Sequence, residues 1–266
     1  MSNEISTLRA KCPLVQAITN YVTVNDVANA ILAIGGSPVM ADYEKEVEDF
    51  VRLADALLIN VGTLTDGEIL GMHKAGVKAN ELGVPVVFDP VGAGAGPGRN
   101  KTVMELLKDV HFAAIKGNLS EMAFIAGRDV VTRGVDSSMD EKAADPVEIA
   151  RICSEKYNTV VAITGKVDTV CYKGRVARIY SGSPMMGRIT GTGCMLGGVI
   201  SAFVGALEDP FVATASALGS MGAAGKKAEE RAKDLGTGSF RTFLIDALSM
   251  MDDGKLSKYG LVEYEG

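Results

Sequence analysis

The sequence predicts an α/β protein with a mostly parallel central sheet, and three observations carry that expectation. Short apolar runs alternate with longer amphipathic stretches as far as about residue 158. Two of the runs, Val84-Pro85-Val86-Val87-Phe88 and Thr159-Val160-Val161-Ala162-Ile163, are continuously apolar, as strands covered by helices on both faces must be. Beyond residue 180 everything reads as helix, so the sheet is expected to be laid down first and closed afterwards.

Taken in order, the strand candidates are 14–18, 37–40, 56–60, 85–89, 113–116, 159–164, 169–172 and 175–180. The amphipathic stretches between them are 25–34, 45–54, 65–82, 100–107 and 146–156. The last two strands are separated by Lys173-Gly174, a two-residue turn that predicts an antiparallel hairpin at the sheet edge. Three closing helices follow at 194–207, 210–235 and 239–251, the second opened by Asp209-Pro210, a capping side chain before a first-turn proline. The charged tail from 252 to 266 is expected to be peripheral. No internal repeat or low-complexity linker divides the chain, so 1–266 is read as one domain.

Composition narrows the chemistry. With 33 acidic against 27 basic residues the net charge is −6, which argues against holding nucleic acid by phosphate neutralisation. The only histidines are His73 and His111, both read as surface residues, so multi-histidine metal centres are excluded. Cys12, Cys153, Cys171 and Cys194 form no C-x-x-C pair. They read as reduced intracellular thiols, the first three buried or half-buried. Residues 1–11 lack the apolar core of a signal peptide, and a cytoplasmic location is expected. The stretch 189–207 holds no charge and is long enough to span a membrane, but its glycines and the Glu208-Asp209-Pro210 break favour two buried helices instead.

In parallel sheets ligands bind beyond the carboxyl ends of the strands. The informative residues are therefore Asn20, Met40, Asn60 with Gly62 and Thr63, Asp89 with the glycine loop at 92–98, Lys116 with Asn118 and Glu121, and Thr164 with Gly165. The strongest signal is Ile189-Thr190-Gly191-Thr192-Gly193-Cys194, leading straight into an apolar helix. Its glycines let the backbone approach a ligand, and the free N–H groups of the first helical turn then face it with a partial positive charge. That is an anion hole. A dinucleotide fingerprint is discounted because two helices, not a strand ending in an acid, follow Gly191, Gly193 and Gly197. No P-loop occurs. A nucleotide would meet this turn together with isolated side chains, Asp89 and Glu121 placed to serve Mg²⁺ and Lys116 to pair with phosphate.

These residues resemble a known family. Asn118-Leu119-Ser120-Glu121 matches the N-x-x-E pattern of the ribokinase-like superfamily, and Thr190 to Cys194 is similar to its anion-hole turn, which usually ends in Asp. Cysteine at that place marks the hydroxyethylthiazole kinases. Agreement extends through Pro13-Leu14-Val15 and Ile18-Thr19-Asn20, Gly36 to Ala41, Asn60 to Leu64, Asp89 to Ala95, Ala162 to Gly165 and Gly238-Ser239-Phe240, covering about residues 12 to 250. The resemblance implies a three-layer αβα fold with antiparallel edge strands. It implies ATP-dependent phosphorylation of 4-methyl-5-(2-hydroxyethyl)thiazole, with Mg²⁺, in thiamine salvage.

By position, the resemblance puts Met40 and Gly191 at the thiazole with Asn20 nearby. It puts Lys116, Thr164 and Asn118 at ATP, Asp89 and Glu121 at the metal, and Gly191, Gly193 and Cys194 at the transferring group. It further implies a homotrimer with active sites between subunits. Lys116 stands where other members often carry Arg, so a charge is kept and a bidentate fork is lost. Cys194 sits at a helix N-terminus, a setting that favours a thiolate, yet nearby phosphates oppose a second negative charge. It is read as a lining and positioning residue rather than an obligatory base. Within the fold, a hydroxymethylpyrimidine kinase or a hydrate dehydratase would carry Asp in place of Cys194. A non-catalytic nucleotide sensor could dispense with Asp89 or Glu121.

Overall fold

The computed structural model describes residues 3–128 and 145–265. Its single sheet has nine strands: β1 (Leu14–Ile18), β2 (Ser37–Val39), β3 (Ala56–Asn60), β4 (Val86–Asp89), β5 (Ala114–Asn118), β6 (Val160–Thr164), β7 (Asp168–Tyr172), β8 (Arg175–Ile179) and β9 (Val262–Glu265), in the order β2-β1-β3-β4-β5-β6-β7-β8-β9. The first six are parallel and the last three antiparallel. Pro38 is accommodated because β2 lies at the edge, where no ladder donor is needed on its outer side. The β7–β8 turn is Lys173-Gly174 with φ of 48° and 82°, the left-handed pair that a two-residue hairpin requires.

The helices are α1 (Glu4–Lys11), α2 (Val24–Ile34), α3 (Val47–Val51), α4 (Asp66–Leu82), α5 (Pro97–Asp109), α6 (Leu119–Ala126), α7 (Pro146–Tyr157), α8 (Thr192–Ala206), α9 (Pro210–Ala232), α10 (Thr237–Ser249) and α11 (Asp253–Tyr259). One buried cluster joins one face of the sheet to residues of α1, α2, α8, α9 and α10, and a second joins the other face to α4, α5, α6 and α7. Successive strand residues alternate between the two, as in Leu57, Leu58 and Ile59. On the α8 side the strands present small residues such as Ala17, Ala114, Ala162 and Ala177. Helix α8 is itself glycine-rich: a Cβ at Gly197 would lie 3.2 Å from Leu58 Cδ1 and 3.5 Å from Asp89 Oδ2. This close seating carries the N-terminus of α8 over the strand ends.

Three expectations are corrected. The tail is not merely peripheral: α11 packs on α9, and β9 extends the sheet beyond β8. Cys12 is exposed, at a left-handed C-cap position with φ of 47°, rather than buried. The predicted helix at 45–54 shrinks to α3, and α1 and α6 are additional. The uncharged stretch forms buried α8, and among the described residues no helix is long and apolar enough to cross a membrane.

Candidate active site

The strand order reverses between β1 and β3, the switch point where parallel sheets open a crevice. Asn20 and Asn60 stand at the two strand ends there, and Asn20 Nδ2 donates to Asn60 Oδ1 at 2.9 Å. Asn60 Nδ2 donates to Asp89 Oδ2 at 2.7 Å, at the end of β4. Lys116 of β5 reaches back to Asp89 Oδ1 at 2.9 Å and donates to the Gly193 carbonyl at 3.0 Å. One polar chain thus runs across four strand ends to the first turn of α8. Asn20 Nδ2 also donates to Cys194 Sγ at 3.3 Å, closing the chain on itself. Asn20 Oδ1 accepts from the Thr23 hydroxyl at 3.0 Å.

All four members of the chain are buried, Asn60 and Asp89 completely. Burial alone would lower Lys116, but the charges of Asp89 and then Glu121 outweigh it and hold the ammonium above its usual value. Glu121 is shaped by the N-cap of α6. Asn118 Oδ1 accepts from Glu121 N at 2.9 Å, and Glu121 Oε2 accepts from Asn118 N at 2.8 Å, a reciprocal capping box. Glu121 Oε1 accepts from Gly92 N at 2.8 Å, which pins the glycine loop after β4. Burial pushes Glu121 up; Lys116 pulls it down, and the charge of Asp89 adds to the rise. Arg99 braces the same loops, donating to the carbonyls of Val61, Val91 and Gly62.

Gly191 caps α8 with φ of 90°, and a Cβ there would lie 2.7 Å from Thr23 Cγ2. Only glycine meets both demands. It offers no side chain to the first-turn N–H groups of Thr192, Gly193 and Cys194, all of which line a cavity of about 580 Å³. Asn20, Asp89, Lys116, Asn118, Glu121, Thr164 and Gly191 line it as well. Thr164 donates to the Gly117 carbonyl at 3.3 Å. A second cavity of about 600 Å³ adjoins it, sharing Thr164, Met186, Gly187, Thr192 and Gly193. Its other walls include Leu196, Leu218, Met221, Asp168 and the 180–184 segment.

Of the catalytic, substrate, nucleotide and metal candidates named from the sequence, all but Met40 line the first cavity. Met40 is half-buried at the end of β2 and lines neither cavity. His111 is exposed, and His73 lies 3.4 Å from Asp109, far from this chemistry in role. Sequence reasoning missed Asp168, although it lies just past Thr164-Gly165, and it missed Arg188, three residues before Gly191. It also passed over Gly222 and Gly225, which bring the 181–187 segment onto α9. A Cβ at Gly222 would lie 2.2 Å from Ser181 Oγ, and one at Gly225 2.6 Å from Met186 Sδ.

Comparison with known proteins agrees with this geometry. Residues 5–253 match the profile of the hydroxyethylthiazole kinase family. A hydroxyethylthiazole kinase of Clostridium tetani is 46% identical over 98% of this chain and 96% of its own. The solved hydroxyethylthiazole kinase of Pyrococcus horikoshii superposes with a TM-score of 0.89 at 39% identity, covering 99% of this chain and 98% of that one. A pyridoxal kinase from Staphylococcus aureus, 16% identical, shares the fold with a TM-score of 0.58 over 80% of this chain and 87% of its own. By the family match and by these relatives, the chain belongs to the hydroxyethylthiazole kinase family.

Proposed function

We propose that this protein transfers the γ-phosphoryl group of ATP to the hydroxyl of 4-methyl-5-(2-hydroxyethyl)thiazole, in thiamine salvage. The alcohol oxygen forms the new P–O bond, the bond from the γ-phosphorus to ADP breaks, and the hydroxyl proton leaves. One observation carries the reading: the unfilled N-terminal turn of α8 lies where two cavities meet. A nucleotide in the second cavity would present its phosphates to that turn, and an alcohol in the first would face them. The relatives named as kinases of this thiazole supply the acceptor.

Roles follow from position. Thr164 and Gly193 wall both cavities and suit the polyphosphate, with Lys116 and Asn118 beside it. Asn20 and Gly191 face the acceptor side. Cys194 has its Sγ held by the Asn20 amide, which suits a positioning residue, and a loose transition state needs little early deprotonation. Among the described residues no group of three His, Cys, Asp or Glu could hold a metal alone. Mg²⁺ is customarily bound through one or two carboxylates, waters and substrate phosphates. Asp89 and Glu121 fit that pattern: both line the cavity, and a cation would relieve the charge with which Asp89 raises Glu121. The ion would neutralise phosphate charge.

Met40 fits the acceptor only from another copy of the chain, since it lines neither cavity of its own. Tyr21 and Val22, 74% and 54% exposed beside the cavity mouth, suit burial in the same contact. Both support a homotrimer with active sites between subunits, working in the cytoplasm. The deciding experiment measures ADP release with ATP and Mg²⁺ against hydroxyethylthiazole, hydroxymethylpyrimidine and simple sugars. Turnover confined to the thiazole is expected, and turnover only with the pyrimidine or a sugar would refute the assignment.

A further inference from the structure

Four charged side chains line the first cavity: Asp89, Lys116, Glu121 and Arg188. Three are already engaged. Lys116 is buried, 2.9 Å from Asp89 and 3.0 Å from the Gly193 carbonyl, so its charge is neutralised before any ligand arrives. Both Glu121 oxygens accept backbone N–H groups. Arg188 differs: it is exposed, and among the described residues it makes no ion pair and no side-chain hydrogen bond.

Its backbone, by contrast, is anchored. Arg188 ends a short 3-10 turn, Pro184–Arg188, whose start is capped by Ser183 Oγ accepting from Met185 N at 3.1 Å. Thr192 Oγ1 of α8 donates to the Met186 carbonyl at 3.1 Å, and Met186 lies against Gly225 of α9. A fixed stem therefore carries an unpaired guanidinium on the wall of the cavity that the α8 turn also lines. The backbone donors can meet a phosphate from one side and a planar five-donor fork can meet it from another.

We infer that Arg188 grips the β- and γ-phosphates of the nucleotide and stabilises the charge on their oxygens during transfer. It supplies the bidentate fork that a lysine at position 116 cannot. The role rests on the kinase reading above. Arg188 moves no proton; the guanidinium stays charged while the γ-phosphorus passes from the ADP oxygen to the alcohol oxygen.

The test pairs kinetics with titration of ADP and AMP by calorimetry, using Arg188→Ala and Arg188→Lys. For Arg188→Ala, kcat/KM for ATP should fall on the order of 100-fold. Its ADP affinity should fall about 10-fold with AMP affinity unchanged, because AMP lacks the phosphates in question. Arg188→Lys should restore only part of either loss. Its melting temperature should stay close to the parent's, since the side chain packs against nothing it would unfold by leaving. Wild-type kcat/KM in Arg188→Ala, or equal weakening of ADP and AMP, would overturn the inference. Should the parent protein release no ADP with the thiazole, the kinase reading fails. The ADP and AMP titrations then decide Arg188 alone.

Discussion

The cavity at the ends of β1, β3, β4 and β5 is walled by charged and polar groups that, Arg188 apart, are largely tied to one another. Its neighbour sets Leu196, Leu218, Met186 and Met221 beside Lys166, Ser181 and Ser183, with Asp168 its one carboxylate among the described residues. In the first, each buried polar atom is held by the next, so removing one leaves its partner uncompensated. In the second, the walls act through shape, set by how closely the 181–187 segment lies on α9. Apart from Arg188 and the shared Thr164, Met186, Gly187, Thr192 and Gly193, the two cavities should therefore respond to different substitutions.

The sharpest way to break that contrast is Lys116→Ala. It leaves Asp89 fully buried without its cation, which should cost about 3–5 kcal/mol of stability together with nearly all turnover. A urea melt within about 1 kcal/mol of the parent would show that the ion pair does not hold the first cavity together. Next comes Gly222→Ala, whose new methyl would sit 2.7 Å from the Ser181 carbonyl oxygen and 2.2 Å from its Oγ. Pushing the segment off α9 should cost about 1–3 kcal/mol and raise KM for ATP severalfold, with KM for the thiazole unchanged. An equal rise in both would merge the two cavities into one functional unit.

Asp168 sharpens the comparison by pH. Burial lifts its carboxyl from 3.8 to about 7, against the Gly165 N–H bond and the charge of Lys116. An acid raised on folding binds its proton more tightly in the native state, so stability falls as pH climbs from the unfolded value towards about 7 and then levels. Asp168→Asn keeps an acceptor for Gly165 N and escapes that penalty. The variant should melt a few degrees above the parent near pH 8 and level with it near pH 4. A difference independent of pH would assign the gain to something else.

The smallest effect is expected at Cys194, where Cys194→Ala should lose only a fewfold in kcat and Cys194→Asp should stay active. Loss of all turnover in the alanine variant, with ATP binding intact, would make the thiol an obligatory base.

Much of this site was legible because parallel strands announce their own ends. Continuous apolar runs stop at Asn60, Asp89 and Lys116, and a polar residue after a fully buried strand needs a reason. Glycines before an apolar helix announced the α8 turn in the same way. Strand β9 gave no such sign. Val262–Glu265 reads Val-Glu-Tyr-Glu, an alternation only four residues long and mostly exposed, held by ladder bonds to β8 and lost within a charged tail. Arg188 was equally silent, since one cation in a polar segment looks like any solvated charge until the cavity behind it is known.

By itself the sequence determined the first eight strands and most of the helices in order, and the types of residue at each strand end, because burial on two faces imposes local patterns of hydrophobicity. Which groups satisfy one another was decided only by the tertiary structure. That Asn20 bonds Asn60, that Lys116 is neutralised by Asp89, and that Arg188 is left free all depend on distances between residues far apart in the chain. Hydrogen bonds and ion pairs act over a few ångströms, and no local pattern encodes which strand end will come that close.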